Sequence, residues 1–293
     1  MQDTTGSFER LRPRLMAIGY RMLASVHEAE DLVQDAWLRW HEDEGRMQQG
    51  VANAEAWLVT MTTRMAIDRL RAAKVRREAY PGFWLPEPLA ESGPETPEQT
   101  RELADDISVA FLVLLDRLSP ESRAAFLLRE VFDADYAQVA EAIGKSEAAA
   151  RQVVSRAKAQ LREAGPAPAV QPKLQYQVLR GFADALSRGD FHGLQALLAE
   201  QSELLSDGGG IVPSFGQALL GSRRIAQLYF AAFRNYGERM RVELVRFNGQ
   251  WALLRWIDGR IESAQAFETD GQHILRIHVQ RNPHKLARLS SGI

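Results

Sequence analysis

Proton-transfer chemistry needs a general base beside a donor that can hold an enolate or oxyanion. In this sequence the base candidate is Asp207, at the head of the run Gly208, Gly209, Gly210. His273, Tyr229 and Tyr236 are the candidate donors. An aspartate before three glycines is equally a turn residue, so both readings stand at this point. The histidines add little. His273 and His278 are an odd number of residues apart, so on a regular strand they face opposite sides and cannot share a metal. His27, His41, His192 and His284 are scattered, and the absence of cysteine excludes a disulfide framework and thiolate-bound zinc. The expectation is therefore no enzyme, no cofactor and no metal site.

Nucleic-acid chemistry is better supplied. The stretch "YAQVAEAIGKSEAAARQVVSRAKAQL" fits a helix-turn-helix. Ala140 is small where two helices approach, Gly144 can take a positive φ in the turn, and Ser146 can cap the second helix. Ala150, Val154, Ala157 and Leu161 then face inward, which leaves Glu147, Arg151, Gln152 and Ser155 outward. Arg151 and Gln152 suit base edges in a major groove, and Arg156 and Lys158 suit phosphates. A second candidate is the basic run Arg64, Arg69, Arg71, Lys74, Arg76 and Arg77, opposed in sequence by Asp68 alone. Such a run can track phosphates or be a solvated face. A third is the polar face Asp31, Gln34 and Asp35, opposite Ala29, Val33 and Trp40; it suits a basic or polar partner helix, or plain solvent.

These residues need elements to hold them. The chain has 293 residues with 45% hydrophobic and 25% charged content, a globular composition sufficient for two or three domains. Its net charge of −2 argues against bulk attraction to a polyanion, though basic charge is concentrated locally. No apolar run approaches the ~20 residues of a membrane span. The N-terminal stretch has no basic start followed by an apolar block, so no export signal, a cytoplasmic location and no membrane partner are expected.

Two proline-rich breaks, near Tyr80–Pro97 and Ala164–Pro172, divide the chain. Before the first, helical spacing runs through Phe8, Leu11, Leu15, Ile18 and Met22, then Ala29, Val33, Ala36 and Trp40, then Trp57, Leu58, Met61 and Met65; His41–Asn53 reads as a loop. Between the breaks, Phe111, Leu114, Leu115 and Leu118 end one helix, and Ser119-Pro120 starts the next. After the second break helices give way to β-rich runs joined by Asn248-Gly249, Asp258-Gly259 and Asp270-Gly271, an antiparallel meander. The expected fold is multidomain: two all-α modules, the second with the helix-turn-helix, followed by an α+β cone enclosing a cavity. Expected boundaries are 1–79, a linker 80–98, 99–163, a linker 164–172, and 173–286.

In order, "AEDLVQDAWLRW", "WLVTMTTRMAIDRLR", "LSPESRAAFLLREVF" and the helix-turn-helix ending "SRAKAQLRE" resemble a bacterial extracytoplasmic-function sigma factor, over Phe8 to Glu163. "WLPEP", the "DGGG" of Asp207–Gly210 and the terminal "NPHKL" resemble the subgroup that carries a fused SnoaL-like domain, similar to the nuclear-transport-factor and ketosteroid-isomerase cone. The resemblance implies that Asp31, Gln34 and Asp35 hold the clamp helices of the largest RNA polymerase subunit, with the flap a further polymerase contact. It implies that the helix carrying Arg64, Asp68, Arg69, Arg71 and Lys74 opens and reads the −10 element of promoter DNA. It implies that Glu147, Arg151, Gln152, Ser155, Arg156 and Lys158 read the −35 element. The chain departs from the pattern at Trp37, Ala150, Ile211 after "DGGG", and His284 where the subgroup commonly has an acid.

The first linker raises a question of its own. Phe83, Trp84 and Leu85 are a large apolar load for an extended, solvated tether. The resemblance implies control of the sigma modules from within the chain. Phe83, Trp84 and Leu85 are therefore expected to dock near Asp207, Gly208, Gly209 and Gly210 and the tail residues Asn282, Pro283, Lys285 and Leu286. Full burial of one such side chain is worth ~1.5–3 kcal/mol, so a few contacts hold the linker yet let it go. The C-terminal cavity could also admit an unidentified small molecule. The alternative is a helix-turn-helix regulator fused to a ligand-binding or catalytic cone.

Overall fold

A computed structural model describes residues 4–42, 53–78, 80–89, 107–165 and 170–290. Most of the expected His41–Asn53 loop lies outside the described residues, as do Glu91, Pro94, Glu95, Pro97 and Glu98 of the linker. The described residues form two compact units, one within 1–78 and 114–165, the other comprising 80–89, 107–113 and 170–290. The first linker thus belongs with the C-terminal domain, and both helical modules share one unit.

In the helical unit, α1 (Thr4–Leu23), α2 (Val26–Glu42) and α3 (Ala54–Glu78) pack on one another. Their apolar stripes make the contacts: Phe8, Leu15, Ile18 and Met22 from α1 and Ala29, Val33, Ala36 and Trp40 from α2 are buried. A Cβ on Gly19 would lie 3.2 Å from the Cβ of Ala29, so these two small residues set how closely α1 and α2 cross. The short α4 (Val109–Leu115) leads to α5 (Pro120–Glu130), α6 (Tyr136–Ile143) and α7 (Glu147–Glu163). Local chemistry fixes these ends as the sequence predicts. Ser119 caps α5 with Pro120 in its first turn, and Asp135 caps α6. Gly144 takes φ 65° at the turn, and Ser146 caps α7 by accepting from Ala149 N–H. Ala150, Val154, Ala157 and Leu161 are the buried face of α7. Helix α3 packs on α5 and α6, and α1 on α5.

The second unit carries α8 (Pro172–Arg188), α9 (Phe191–Ala196), β1 (Leu198–Asp207), β2 (Leu219–Leu220), α10 (Ser222–Tyr236), β3 (Met240–Phe247), β4 (Gln250–Ile257), β5 (Arg260–Thr269), β6 (Ile274–Gln280) and α11 (Pro283–Leu286). The sheet order is β2-β1-β6-β5-β4-β3. Strands β3 to β6 form the expected antiparallel meander. Asn248-Gly249 and Asp258-Gly259 have positive φ at both residues, the geometry of a tight hairpin turn. The sheet is mixed, because β1 pairs with β6 in parallel, a long-range pairing with no local signature. Phe182, Leu186, Ile225, Tyr229, Leu253, Phe267 and Ile277 centre the core between helices and sheet. This is the α+β form expected of the SnoaL-like unit.

Candidate functional site

Strand β1 ends on Asp207, which is completely buried. Its carboxylate accepts from Tyr80 OH (2.6 Å), Leu85 N–H (2.9 Å), Gly209 N–H (2.9 Å), Lys285 Nζ (2.7 Å) and Gln280 Nε2 (3.2 Å). Two of these donors come from the linker, two from the end of β6 and from α11. Lys285 also donates to Leu85 O at 2.7 Å and sits 4.0 Å from the Trp84 ring centroid, a cation–π contact. Gln280 Nε2 reaches Leu85 O and Pro86 O, each at 3.2 Å. Asn282 donates to Tyr80 OH at 3.1 Å, and its Oδ1 caps His284 N–H. Further along, Leu89 N–H donates to Asn248 Oδ1 (3.1 Å) and Leu89 O accepts from Asn248 N–H (3.0 Å), so the hairpin turn grips the linker backbone. Buried Glu87 stands 3.8 Å from Arg288.

The glycine run is explained by this seat. A Cβ on Gly208 would lie 2.2 Å from Val212 O. Gly209 has φ 66° and would meet Asn282 at 2.5 Å; Gly210 has φ 70° and would meet Pro81 at 2.7 Å. Tail and linker approach Gly209 and Gly210 too closely for any side chain, while Gly208 is confined by its own loop. Of the expected apolar trio, Leu85 is buried at 2% exposure while Phe83 and Trp84 are half-buried. Pro86 and Pro88 are buried with Leu85, and with Phe247, Ala264 and Ala266 they border a gap of about 10 Å³, no roomier than one water. Tyr80, Gln280 and Asn248 were not singled out from sequence. Their signal was positional: an aromatic opening the linker, an amide closing the last strand, and a turn residue facing the linker.

The structure does not assemble the catalytic candidates. Asp207 is saturated by the linker and tail. Tyr229 OH donates to Gln265 at 2.6 Å, and burial pushes its phenol well above the ordinary tyrosine range. His273 lies in the turn before β6, not on a strand, 3.7 Å from Asp270. Tyr236 is exposed at the end of α10. His278 is buried against Glu268 at 2.8 Å.

In the helical unit, Asp31, Gln34 and Asp35 are all exposed on α2, and Leu38, 52% exposed, continues their stripe. Asp35 is ion-paired to Arg69, whose other amine donates to Glu28 O at 2.8 Å. The basic run of α3 is engaged elsewhere too. Arg64 donates to Glu141 O of α6 at 2.6 Å. Arg71 pairs with Asp68 (3.0 Å) and with Glu121 of α5, and Arg71 draws the Glu121 carboxyl below its ordinary range. Arg77 reaches Asp116 at 2.9 Å, and Asp116 also holds Arg123 at 2.8 Å. Arg123 is almost fully buried, donates to Arg21 O at 3.1 Å, and burial pushes its guanidinium down to about 10. Lys74 is exposed. On α7, Arg151 pairs with Glu147 at 3.2 Å and stacks 4.2 Å over Tyr136; Gln152, Ser155 and Arg156 are exposed, and Lys158 pairs with Glu130 of α5 at 2.7 Å.

Two helical modules, one exposing an acidic face and the other carrying a capped helix-turn-helix, thus precede an α+β domain. Residues 7–76 match the family model for Sigma-70 region 2, and residues 108–161 that for Sigma-70, region 4. The chain is 36% identical over 239 residues to the ECF RNA polymerase sigma factor SigJ of Mycobacterium tuberculosis, covering 78% of this chain and 73% of that one. It is 29% identical over 288 residues to the probable ECF RNA polymerase sigma factor SigI of the same species, covering 96% and 94%. The crystal structure of M. tuberculosis SigJ aligns with a TM-score of 0.75 at 31% identity, over 97% of this chain and 98% of that one. The chain belongs to the extracytoplasmic-function sigma factors of RNA polymerase. Its function is promoter recognition and transcription initiation. Among the described residues, no helix is long and apolar enough to cross a membrane.

Proposed function

We propose that this sigma factor is controlled in cis, its α+β domain holding the linker that joins the −10 and −35 modules. The carrying observation is the Asp207 seat, where one buried carboxylate gathers donors from the linker and the C-terminal tail. A promoter is engaged at two points, and the linker sets the effective concentration of the second contact once the first forms. A linker bound along residues 80–89 has less free length to span that gap. The charge clasp from α3 to α5, α6 and the turn before α5 acts in the same direction: it occupies Arg64, Arg71 and Arg77, side chains otherwise available to phosphates. Core polymerase competes for Asp31, Gln34 and Asp35, and promoter DNA for Arg64, Arg69, Arg71, Lys74 and the outward face of α7. The cytoplasm is the compartment where both partners are met.

The test is co-purification of the full chain with core RNA polymerase, with and without Asp35→Ala, followed by run-off transcription on genomic fragments. Loss of polymerase binding in Asp35→Ala, with the fold intact, supports the assignment. Undiminished binding and transcription by that variant refute the role given to the α2 face.

A further inference from the structure

The C-terminal domain holds a cavity of about 280 Å³ between α10 and the sheet, near the small end of the roughly 300–1,000 Å³ range of ligand pockets. Its walls are mostly apolar, with Leu204, Leu228, Val279 and Phe215 among them. The charged residues lining it are Arg255, Glu262 and Arg281. Glu262 accepts from Arg255 Nε and from Arg281 Nε, each at 2.7 Å, and the Nη2 of each arginine lies 2.6 Å from its carboxylate as an ion pair. Arg281 also donates to Pro213 O. Two guanidiniums and one carboxylate leave a local charge of +1. A guanidinium carries five N–H donors, so both arginines retain donors beyond these bonds. Glu262 stays ionised: burial raises its carboxyl, but Arg255 and then Arg281 outweigh that and hold it below the ordinary range. Exposed Ala231, Asn235 and Tyr236 border the cavity, which gives a ligand a way in.

An uncompensated positive charge at partly desolvated arginines is costly unless an anion completes it. We propose that this cavity binds a small organic acid: an apolar body of one or two rings, or equivalent chain, lying against Leu204, Leu228 and Val279, with a single carboxylate taken by Arg255 and Arg281. The binding claim stands apart from cis control and is tested without transcription. Arg281 lies between Gln280 and Asn282 of the linker seat in sequence.

The probe is 2-naphthoate, titrated calorimetrically into the full chain and compared with neutral 2-naphthamide. Naphthoate is expected to bind at least about tenfold more tightly than the amide. Ala232→Phe, which places a ring in the cavity, should abolish binding of both, and Arg281→Gln should erase the preference for the acid. Equal binding of acid and amide to the wild-type chain overturns the proposal. So does acid binding that survives Ala232→Phe, or no binding of either probe at millimolar concentration. The wild-type contrast decides the matter even if a variant fails to fold.

Discussion

Asp207→Asn is the sharpest perturbation of the linker seat. The substitution keeps volume but removes the charge and replaces one acceptor oxygen with a donor. Oδ1 now accepts from Tyr80 OH and Gly209 N–H; Oδ2 accepts from Leu85 N–H, Lys285 and Gln280. Whichever way the amide turns, its NH₂ faces donors. Lys285, only 13% exposed at its side chain, loses its counter-charge. Lys285 and Asp207 belong to the same domain, so that loss falls on the domain whether or not the linker is seated. What the seated linker loses is a charge-assisted bond from Tyr80 or Leu85 to the carboxylate, about 1.5–3 kcal/mol. At about 1.4 kcal/mol per decade this is roughly a ten- to hundredfold shift in linker opening. Hydrogen exchange at the Leu85 amide reads it directly, because that N–H is held by Asp207. Exchange at Leu85 should rise about ten- to hundredfold, well beyond any rise at the amides of Leu253 and Gln265 in β4 and β5. An unchanged Leu85 rate refutes the seat. An equal acceleration of Leu85 and the sheet refutes it as well, since Asp207 would then support the domain rather than grip the linker.

Three further outcomes rest on other ion pairs. Arg123→Met removes a buried guanidinium and its bonds to Asp116 and Arg21 O, while Asp116 keeps Arg77; the helical unit should lose about 1–3 kcal/mol in urea unfolding. Glu121→Gln, whose partner Arg71 is exposed, should leave the midpoint where it is. The third outcome concerns pH. Because the Glu262 carboxyl is held below its unfolded value of 4.5, its stabilisation is fully present above that value and is lost as pH falls through the lower folded value. Wild type should exceed Glu262→Gln in urea midpoint at pH 7, and the gap should narrow as pH falls below 4.5. A gap that widens on acidification contradicts the Arg255–Glu262–Arg281 arrangement.

Sequence carried what is local. Ser119, Ser146 and Gly144 announce helix ends because each acts on backbone within four residues, and Asn248-Gly249 announces a turn for the same reason. The polar face of α2 was legible because helical period alone separates Asp31, Gln34 and Asp35 from Ala29 and Trp40. What sequence could not give is partner choice across distance. The basic run of α3 suggested phosphates, yet Arg71 finds Glu121 and Arg77 finds Asp116, each about forty to fifty residues away. Lys158 likewise meets Glu130. The linker shows the same limit. Its apolar trio signalled that something must be covered. The seat joins both kinds of contact: Leu85, Pro86 and Pro88 are buried, and Asp207, Gln280 and Lys285 bond the Leu85 backbone, while Phe83 and Trp84 stay half-buried. Hydrophobicity reports how much must be buried, not which hydrogen bonds choose the place.

Run-off transcription with core RNA polymerase, comparing the wild-type chain with Asp207→Asn at equal, subsaturating concentration, tests the central claim most directly. The account predicts one shared start site and more transcript from Asp207→Asn, because a freed linker lets both modules reach the promoter. Equal transcript from the two proteins, with Leu85 exchange confirming that the linker has opened in the variant, would contradict it.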